Sequence, residues 1–384
     1  MKLQILSAAS QLVPYGWDDH LLRSSDFYLS SAWLGLLEKI SPVPPFYLIA
    51  RDDHGRPMAG LAAHLLGRDT PPWDFYRIDR VLRRVAAMPD RDARGIVGVR
   101  GREPAMLMPS LLLGGRHTAH SRLLLAPGLS EAAQQEATDA LLDEAGKLGR
   151  DLGARTLAFM FVDEHDRLRD DLEQRGYLSF LHAKAGVMDI DFSTFDEYLG
   201  RFSPHRRRRI GKELRSFSAA GVVFSQHPLG EVIEEITPLG MALESRYGVD
   251  GDTVAAAQKS LQIVSTAFGE QAIALTAEQD GKIRGYVLAI RWNDILILRS
   301  AGFDYDTKDR LPLYYGVVFY NVVDYALASA VRQVLYSIES TEAKESRGCR
   351  IIDEYSMVTG LDDQASAALR QVLSPERGTA AQSK

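Results

Sequence analysis

The stretch that decides the reading of this chain is Ser193-Thr194-Phe195-Asp196-Glu197-Tyr198-Leu199-Gly200-Arg201-Phe202-Ser203-Pro204-His205-Arg206-Arg207-Arg208-Arg209-Ile210-Gly211-Lys212-Glu213-Leu214-Arg215, at the middle of the sequence. Thr194 with Glu197 three residues on has the form of a capping box, and Ser203 before Pro204 reads as an N-cap followed by proline at the first helical position. Two consecutive short helices are therefore predicted. Phe195, Tyr198, Leu199 and Phe202 keep helical spacing on the first; on the second, Ile210, Leu214 and Phe217 form an apolar stripe while Arg208, Lys212 and Arg215 share another face. From Arg201 to Arg215 there are seven Lys or Arg against one Glu, a local charge of +6 in a chain whose formal net charge is -6. A concentrated positive patch on an acidic protein suits a compact anionic group better than a long polyanion, which the rest of the surface would repel. The plain alternative is a solvated basic face paired with carboxylates, and charge alone does not separate the two.

Outward from this stretch, 384 residues favour two domains, and 46% hydrophobic with 25% charged residues is an ordinary globular composition. The single cysteine, Cys349, excludes an internal disulfide framework and a multi-thiolate metal site, and fits a reducing, cytoplasmic setting. The first residues, with one Lys and a short mixed apolar run, make a poor signal peptide, and no apolar run approaches a membrane span. Residues 374–384 are expected to be disordered.

In chain order, 26–40 reads as a helix, and 46–50 with 58–66 as a hairpin around Asp52-Asp53-His54-Gly55. The segment 67–120, rich in Arg, Asp, Pro and Gly, reads as an insertion carrying part of a site. A long helix over 130–152, a buried strand over 156–162, a short helix over 166–174 and closing strands over 177–191 follow. The second half repeats the order: helix 253–268, strands 272–277 and 283–292, a further strand 294–301, a long helix 313–330 and a buried strand 333–338. The expectation is an N-terminal domain over 1–192, connecting basic helices over 193–218 and a C-terminal domain over 219–373, built as two sheets of related topology.

The chain resembles the Fem-type branch of the GNAT superfamily. The resemblance rests on Phe195-x-x-Tyr198-Leu199 through Arg209-x-x-Lys212-Glu213-Leu214, on Leu296-x-Leu298-Arg299-Ser300-Ala301-Gly302-Phe303-Asp304, on Tyr314-Tyr315 opening a long helix, and on Glu339-x-x-x-x-Lys344-x-x-Arg347-Gly348. It covers about residues 180–356 by motif and the first half by pattern. It implies an α/β fold of two tandem GNAT-like domains with mixed, mostly antiparallel sheets and flanking helices. It also implies acyl transfer to an amine, with either acyl-coenzyme A or aminoacyl-tRNA as co-substrate and no metal. Coenzyme A enzymes of this fold hold the pyrophosphate on glycine-rich backbone at a helix start. Here the corresponding stretch is Lys308-Asp309-Arg310-Leu311-Pro312-Leu313-Tyr314-Tyr315-Gly316, which favours aminoacyl-tRNA, bound by its acceptor end, as donor to a small-molecule amine.

Candidate residues follow from position. Glu339 ends an apolar strand, where α/β folds present side chains to ligand, and is a candidate acceptor of the amine's proton; its plain alternative is an ion pair with Lys344 or Arg347. Tyr314 could relay a proton to the leaving group, although tyrosines at helix starts more often pack. Arg299, a charge inside a strand, and Lys344 and Arg347 in the terminal motif are candidate anion ligands, joined by Arg207, Arg208 and Lys212 across the chain. As ligands, Lys344 and Arg347 are expected to be replaceable by alanine at little cost in melting temperature. Asp163-Glu164-His165-Asp166 reads as a solvated turn rather than a metal cluster, and Cys349 as a half-buried structural thiol. Walker, nucleophile-elbow and zincin motifs are absent from the sequence. A non-catalytic reader of tRNA or a cell-wall precursor remains the competing class.

Overall fold

The computed structural model describes residues 1–384 apart from 24, 41–42, 71–74, 100–102, 118–119, 247–252, 309–310 and 374–384. The expected disordered tail, Trp73, and Asp309 and Arg310 of the helix-start motif lie outside the described residues. In chain order the strands are β1 (Lys2–Leu6), β2 (Pro45–Arg51), β3 (Pro57–Leu66), β4 (Ser110–Leu113), β5 (Leu124–Leu125), β6 (Thr156–Asp163), β7 (Leu178–Asp189), β8 (Val223–Pro228), β9 (Ala272–Gln279), β10 (Lys282–Trp292), β11 (Ile295–Phe303), β12 (Gln333–Ile338) and β13 (Arg350–Gly360). The helices are α1 (Trp17–Leu21), α2 (Ser31–Ile40), α3 (Ile78–Ala86), α4 (Glu131–Asp151), α5 (Arg167–Gln174), α6 (Phe195–Gly200), α7 (Pro204–Ala219), α8 (Leu229–Arg246), α9 (Val254–Phe268), α10 (Tyr305–Lys308), α11 (Leu313–Tyr315), α12 (Val322–Ala328), α13 (Thr341–Glu345) and α14 (Asp363–Val372). A π-helical turn, Gly316–Asn321, joins α11 to α12.

Two compact units emerge, one of residues 1–184 with 352–384 and one of residues 185–351. In the first, β1, β2, β3 and β4 are antiparallel neighbours, β4 runs parallel to β6, and β13 closes antiparallel on β6. In the second, β8, β9, β10 and β11 are antiparallel neighbours, β11 runs parallel to β12, and β7 closes antiparallel on β12. The two separate sheets expected from the sequence are not found, because the strands share one hydrogen-bonded order in a single sheet of thirteen; what repeats within it is topology: four antiparallel strands, a helix, a parallel strand, a closing strand.

The division differs from the one read in the sequence, which ended the first half at residue 192. Each closing strand comes from the other half of the chain: Glu354–Gly360 pairs with Asp163–Thr156, and Asp189–Ala185 pairs with Gln333–Ile338. Hydrogen-bonded neighbours, rather than order along the chain, set the boundary. The segment read as an insertion also contains a core strand, β4, whose four residues are all buried and pair with both β3 and β6. Only Ser-Leu-Leu-Leu lies between Pro109 and Gly114, too short for a periodicity to show. Within the same segment Arg116 and His117 are 2% and 1% exposed, so they serve the interior rather than a surface site.

In the second unit, the apolar faces of α7 (Ile210, Phe217), β9 to β12 and the Leu313–Ala328 helical run form one core. Two glycines permit close approach. A Cβ at Gly302 would fall 2.4 Å from the Leu239 carbonyl carbon, so α8 lies directly on β11; one at Gly316 would fall 2.6 Å from the Phe217 ring, where α7 crosses the π turn.

Candidate functional site

The predicted caps form. Thr194 Oγ1 accepts from the Glu197 amide at 3.1 Å, and Ser203 Oγ from the Arg206 amide at 3.3 Å with Pro204 at the first helical position. Glu197 reaches back to the Ser193 amide at 2.7 Å, one residue before the position a capping box requires. These caps start α6 and α7 where the sequence places them and orient the basic residues. Arg201 pairs with Asp191 at 2.6 Å, Arg207 donates to the Phe202 carbonyl at 2.9 Å, and Arg209 pairs with Glu213 at 3.2 Å. Arg208, Lys212 and Arg215 are exposed and have no ion pair among the described residues. Their spacing of four and three puts them on one stripe of α7.

Glu213, the lone acid of that stretch, turns the other way. Its carboxylate accepts two bonds from the Arg347 guanidinium, at 2.7 and 3.0 Å, and a short bond from the Tyr320 hydroxyl. Arg347 is fully buried; it donates to Tyr320 Oη at 2.9 Å and to Ser346 Oγ at 2.9 Å, and lies 3.9 Å over the Tyr315 ring. Its backbone carbonyl accepts from Tyr198 Oη at 2.9 Å. Burial, then the bond to Glu213, pushes the Tyr320 phenol far up. The sequence reading offers Arg347 as a free anion ligand; in the structure its charge is neutralised by Glu213. The expectation of a near-unchanged melting temperature on its removal is revised accordingly, because a buried charge stripped of its partner is costly.

Lys344 is likewise 3% exposed. Its ammonium donates to the carbonyls of Ser337 at 2.6 Å and Ile338 at 2.9 Å, and burial brings its pKa down to about 8. It thus caps the end of β12, where Ser337, Glu339 and Ser340 all have left-handed backbone (φ 60°, 68° and 52°). Such strain concentrates at functional sites. Glu339 is exposed on this turn, and its charge acts on Lys344.

The neighbouring strand, β11, carries Arg299. β11 and β12 pair over Ile295–Ile297 and Gln333–Leu335; beyond these residues β11 stays paired with β10, and β12 with β7 through an irregularity between Leu335 and Ile338. Arg299 is the extra residue of a bulge on β11, since Leu288 pairs with Ser300 and Ala289 with Leu298. Half-buried Tyr314 packs edge-on to Phe303, Tyr315 and Phe319. The helix start between them has few spare donors: Pro312 has no N–H, the Leu313 amide bonds Leu311 O at 2.8 Å, and the Tyr315 and Gly316 amides bond Pro312 O at 3.0 and 3.1 Å.

Cys349 is 7% exposed and its thiol is pushed up to about 12 by burial, which fits a structural thiol rather than a nucleophile. Asp163–Asp166 forms a turn in which Asp163 Oδ1 accepts from the His165 amide at 2.8 Å, and among the described residues no group of His, Cys, Asp or Glu is arranged to hold a metal ion. No helix among them is long and apolar enough to cross a membrane. Tyr320 was not singled out from sequence, and Glu213 and Tyr198 entered only as motif and stripe residues without a role in the site. The available signal was Glu213 itself, one acid among seven cations.

The fold is that of tandem GNAT-like proteins. The FemAB-like family, described as peptidoglycan biosynthesis/recognition, matches residues 118–384, and the chain belongs to it. Solved structures show the same fold: FemX, with TM-score 0.62 and 11% identity over 97% of this chain and 99% of that one; a tandem GNAT protein from the clavulanic acid biosynthesis pathway, with TM-score 0.52 and 12% identity over 94% and 99%; and the C-terminal domain of a putative lysylphosphatidylglycerol synthetase from Agrobacterium fabrum, with TM-score 0.51 and 11% identity over 97% and 100%. No curated protein sequence matches.

Proposed function

We propose that this protein is an N-acyltransferase that joins an aminoacyl group, delivered as aminoacyl-tRNA, to the amine of a small-molecule or peptidoglycan-type acceptor in the cytoplasm. The observation that carries the donor choice is the helix start after β11: Pro312 has no N–H, and the Leu313, Tyr315 and Gly316 amides are spent on the Leu311 and Pro312 carbonyls, leaving a poor cradle for the pyrophosphate of coenzyme A. The unpaired stripe Arg208, Lys212 and Arg215 on α7, with Arg207 beside it, supplies positive charge for the phosphates of a tRNA acceptor end on a chain of net charge -6. Family membership supports a peptidoglycan-related acceptor.

In this reading the amine attacks the ester carbonyl in the opening between β11 and β12. The amide C–N bond forms and the ester C–O bond breaks. Glu339 takes the amine proton, and the leaving ribose oxygen is protonated through Tyr314. Arg299 holds an anionic group of the substrate at the bulge, while Arg347 and Lys344 position the surrounding turns. Holding the reactants in register supplies most of the rate.

The test is to incubate the protein with cell extract and either charged tRNA or acyl-coenzyme A, and to search for a new amide by mass spectrometry. The expected product forms with charged tRNA and disappears after RNase treatment. Product that survives RNase and requires a coenzyme A thioester replaces the donor; no product with either donor leaves the non-catalytic reader as the better account.

A further inference from the structure

The first unit carries a cavity that the transfer reaction does not use. It measures about 350 Å³ and is walled by Leu123–Leu125 on one side and ionic side chains on the other. The ionic lining is three guanidiniums, Arg23, Arg122 and Arg167, and three carboxylates, Asp26, Asp163 and Asp166, so the formal charges cancel. They are nevertheless not fully paired with one another. Arg122 donates to Asp26 at 2.9 Å, but its Nε is buried without a hydrogen-bond partner and its nearest other carboxylate, Asp166, is 4.0 Å away. Arg23 has no ion pair among the described residues. At the Asp163 end, Oδ1 accepts from the His165 amide, whereas Oδ2 has only His120 Nδ1 at 3.9 Å.

Beneath Asp163 lies a fully buried carboxyl, Glu354. It accepts from the His120 amide at 3.3 and 3.4 Å and stands 3.4 Å from His120 Nδ1. Burial, and then the charge on Asp163, hold its pKa well above the carboxylate range. The backbone around the pair is strained, with His120 at φ 57° and Phe161 at φ 61°. A wall that presents unmet guanidinium donors and an under-bonded carboxylate, with no net charge, complements neither a plain anion nor a plain cation.

We propose that this cavity is a binding site for a small zwitterion, its ammonium on Asp163 and its acid group on the exposed guanidinium of Arg23. The ligand class is an amino acid or another short-chain compound with an amine at one end and an acid at the other. This assignment is independent of the donor and of the reaction assigned to the second unit.

The test is direct binding to the full chain, by calorimetry, of glycine, 4-aminobutyrate and 6-aminohexanoate, with butylamine and butyrate as single-charge controls. At least one zwitterion is expected to bind roughly tenfold or more tightly than either control, a difference well within one ionic contact. Asp163→Asn should abolish that binding, and Arg23→Gln, at an exposed residue, should weaken it by roughly tenfold with the melting temperature unchanged. Arg122 is left intact because its removal strips buried Asp26 of its ion pair. Equal binding of zwitterions and single-charge controls, no binding of any probe at millimolar concentration, or wild-type affinity in folded Arg23→Gln would each overturn the proposal.

Discussion

Arg347 and Lys344 show how burial changes what a charged residue does. Arg347 spends its donors on Glu213, Tyr320 and Ser346, so Arg347→Ala leaves Glu213, among the described residues, with only the exposed Arg209 as cationic partner. Breaking a buried pair this way costs about 3–5 kcal/mol, whereas replacing both partners by apolar residues is often neutral. Urea unfolding should therefore show a large loss for Arg347→Ala and a partial recovery in Arg347→Met/Glu213→Leu; a small loss in the single variant would refute the structural role. Lys344 gives a pH signature. Its pKa falls from 10.5 unfolded to about 8 folded, so between those values the unfolded chain holds a proton that the folded one has released. Stability contributed by this residue then rises with pH across that window, by up to about 1.4 kcal/mol per pH unit. The difference between wild type and Lys344→Met, followed by denaturation from pH 7 to 10.5, should climb accordingly, and a flat difference would remove the burial argument.

At the scale of elements, α7 has two faces with separate duties. Ile210 and Phe217 hold it in the core, Glu213 ties it to the π turn through Tyr320, and Arg208, Lys212 and Arg215 face solvent. A π turn widens the helix locally and often marks a functional site; here it carries the tyrosine that shares Glu213 with Arg347. Surface cations contribute about 0–1 kcal/mol each to stability, so the triple alanine variant of the stripe should melt like wild type. If the stripe contacts tRNA phosphates, the slope of log affinity for tRNA against log salt should shrink by about 2 to 3 in that variant, from roughly 0.7–0.9 per contact. An unchanged slope would take the stripe out of the donor site.

The whole molecule is two copies of one topology, each closed by a strand from the other half of the sequence. β13 pairs with β6 in the first unit, and α14 after it buries Ala365, Ala368, Leu369 and Val372. A chain stopped after Gly348 loses both. Hydrogen exchange should then show β6 amides unprotected while the β9–β10 hairpin of the second unit stays protected; equal protection in the two would contradict the exchange of strands.

What the sequence determined by itself was local. The caps at Thr194 and Ser203, the apolar stripe of α7, the two hairpins and the repeated element order follow from spacing and side-chain chemistry within a few residues of one another, and these suffice for the fold class. Tertiary structure decided what depends on partners far away in the chain. Glu213 meets Arg347 across 134 positions and His120 meets Glu354 across 234, so no local pattern could reveal that the first pair silences an apparent anion ligand or that the second sets a buried carboxyl beside Asp163. The unit boundary is of the same kind. A strand's partner is chosen by backbone hydrogen bonds and apolar contact in space, and a four-residue strand such as β4 is too short to announce its pairing.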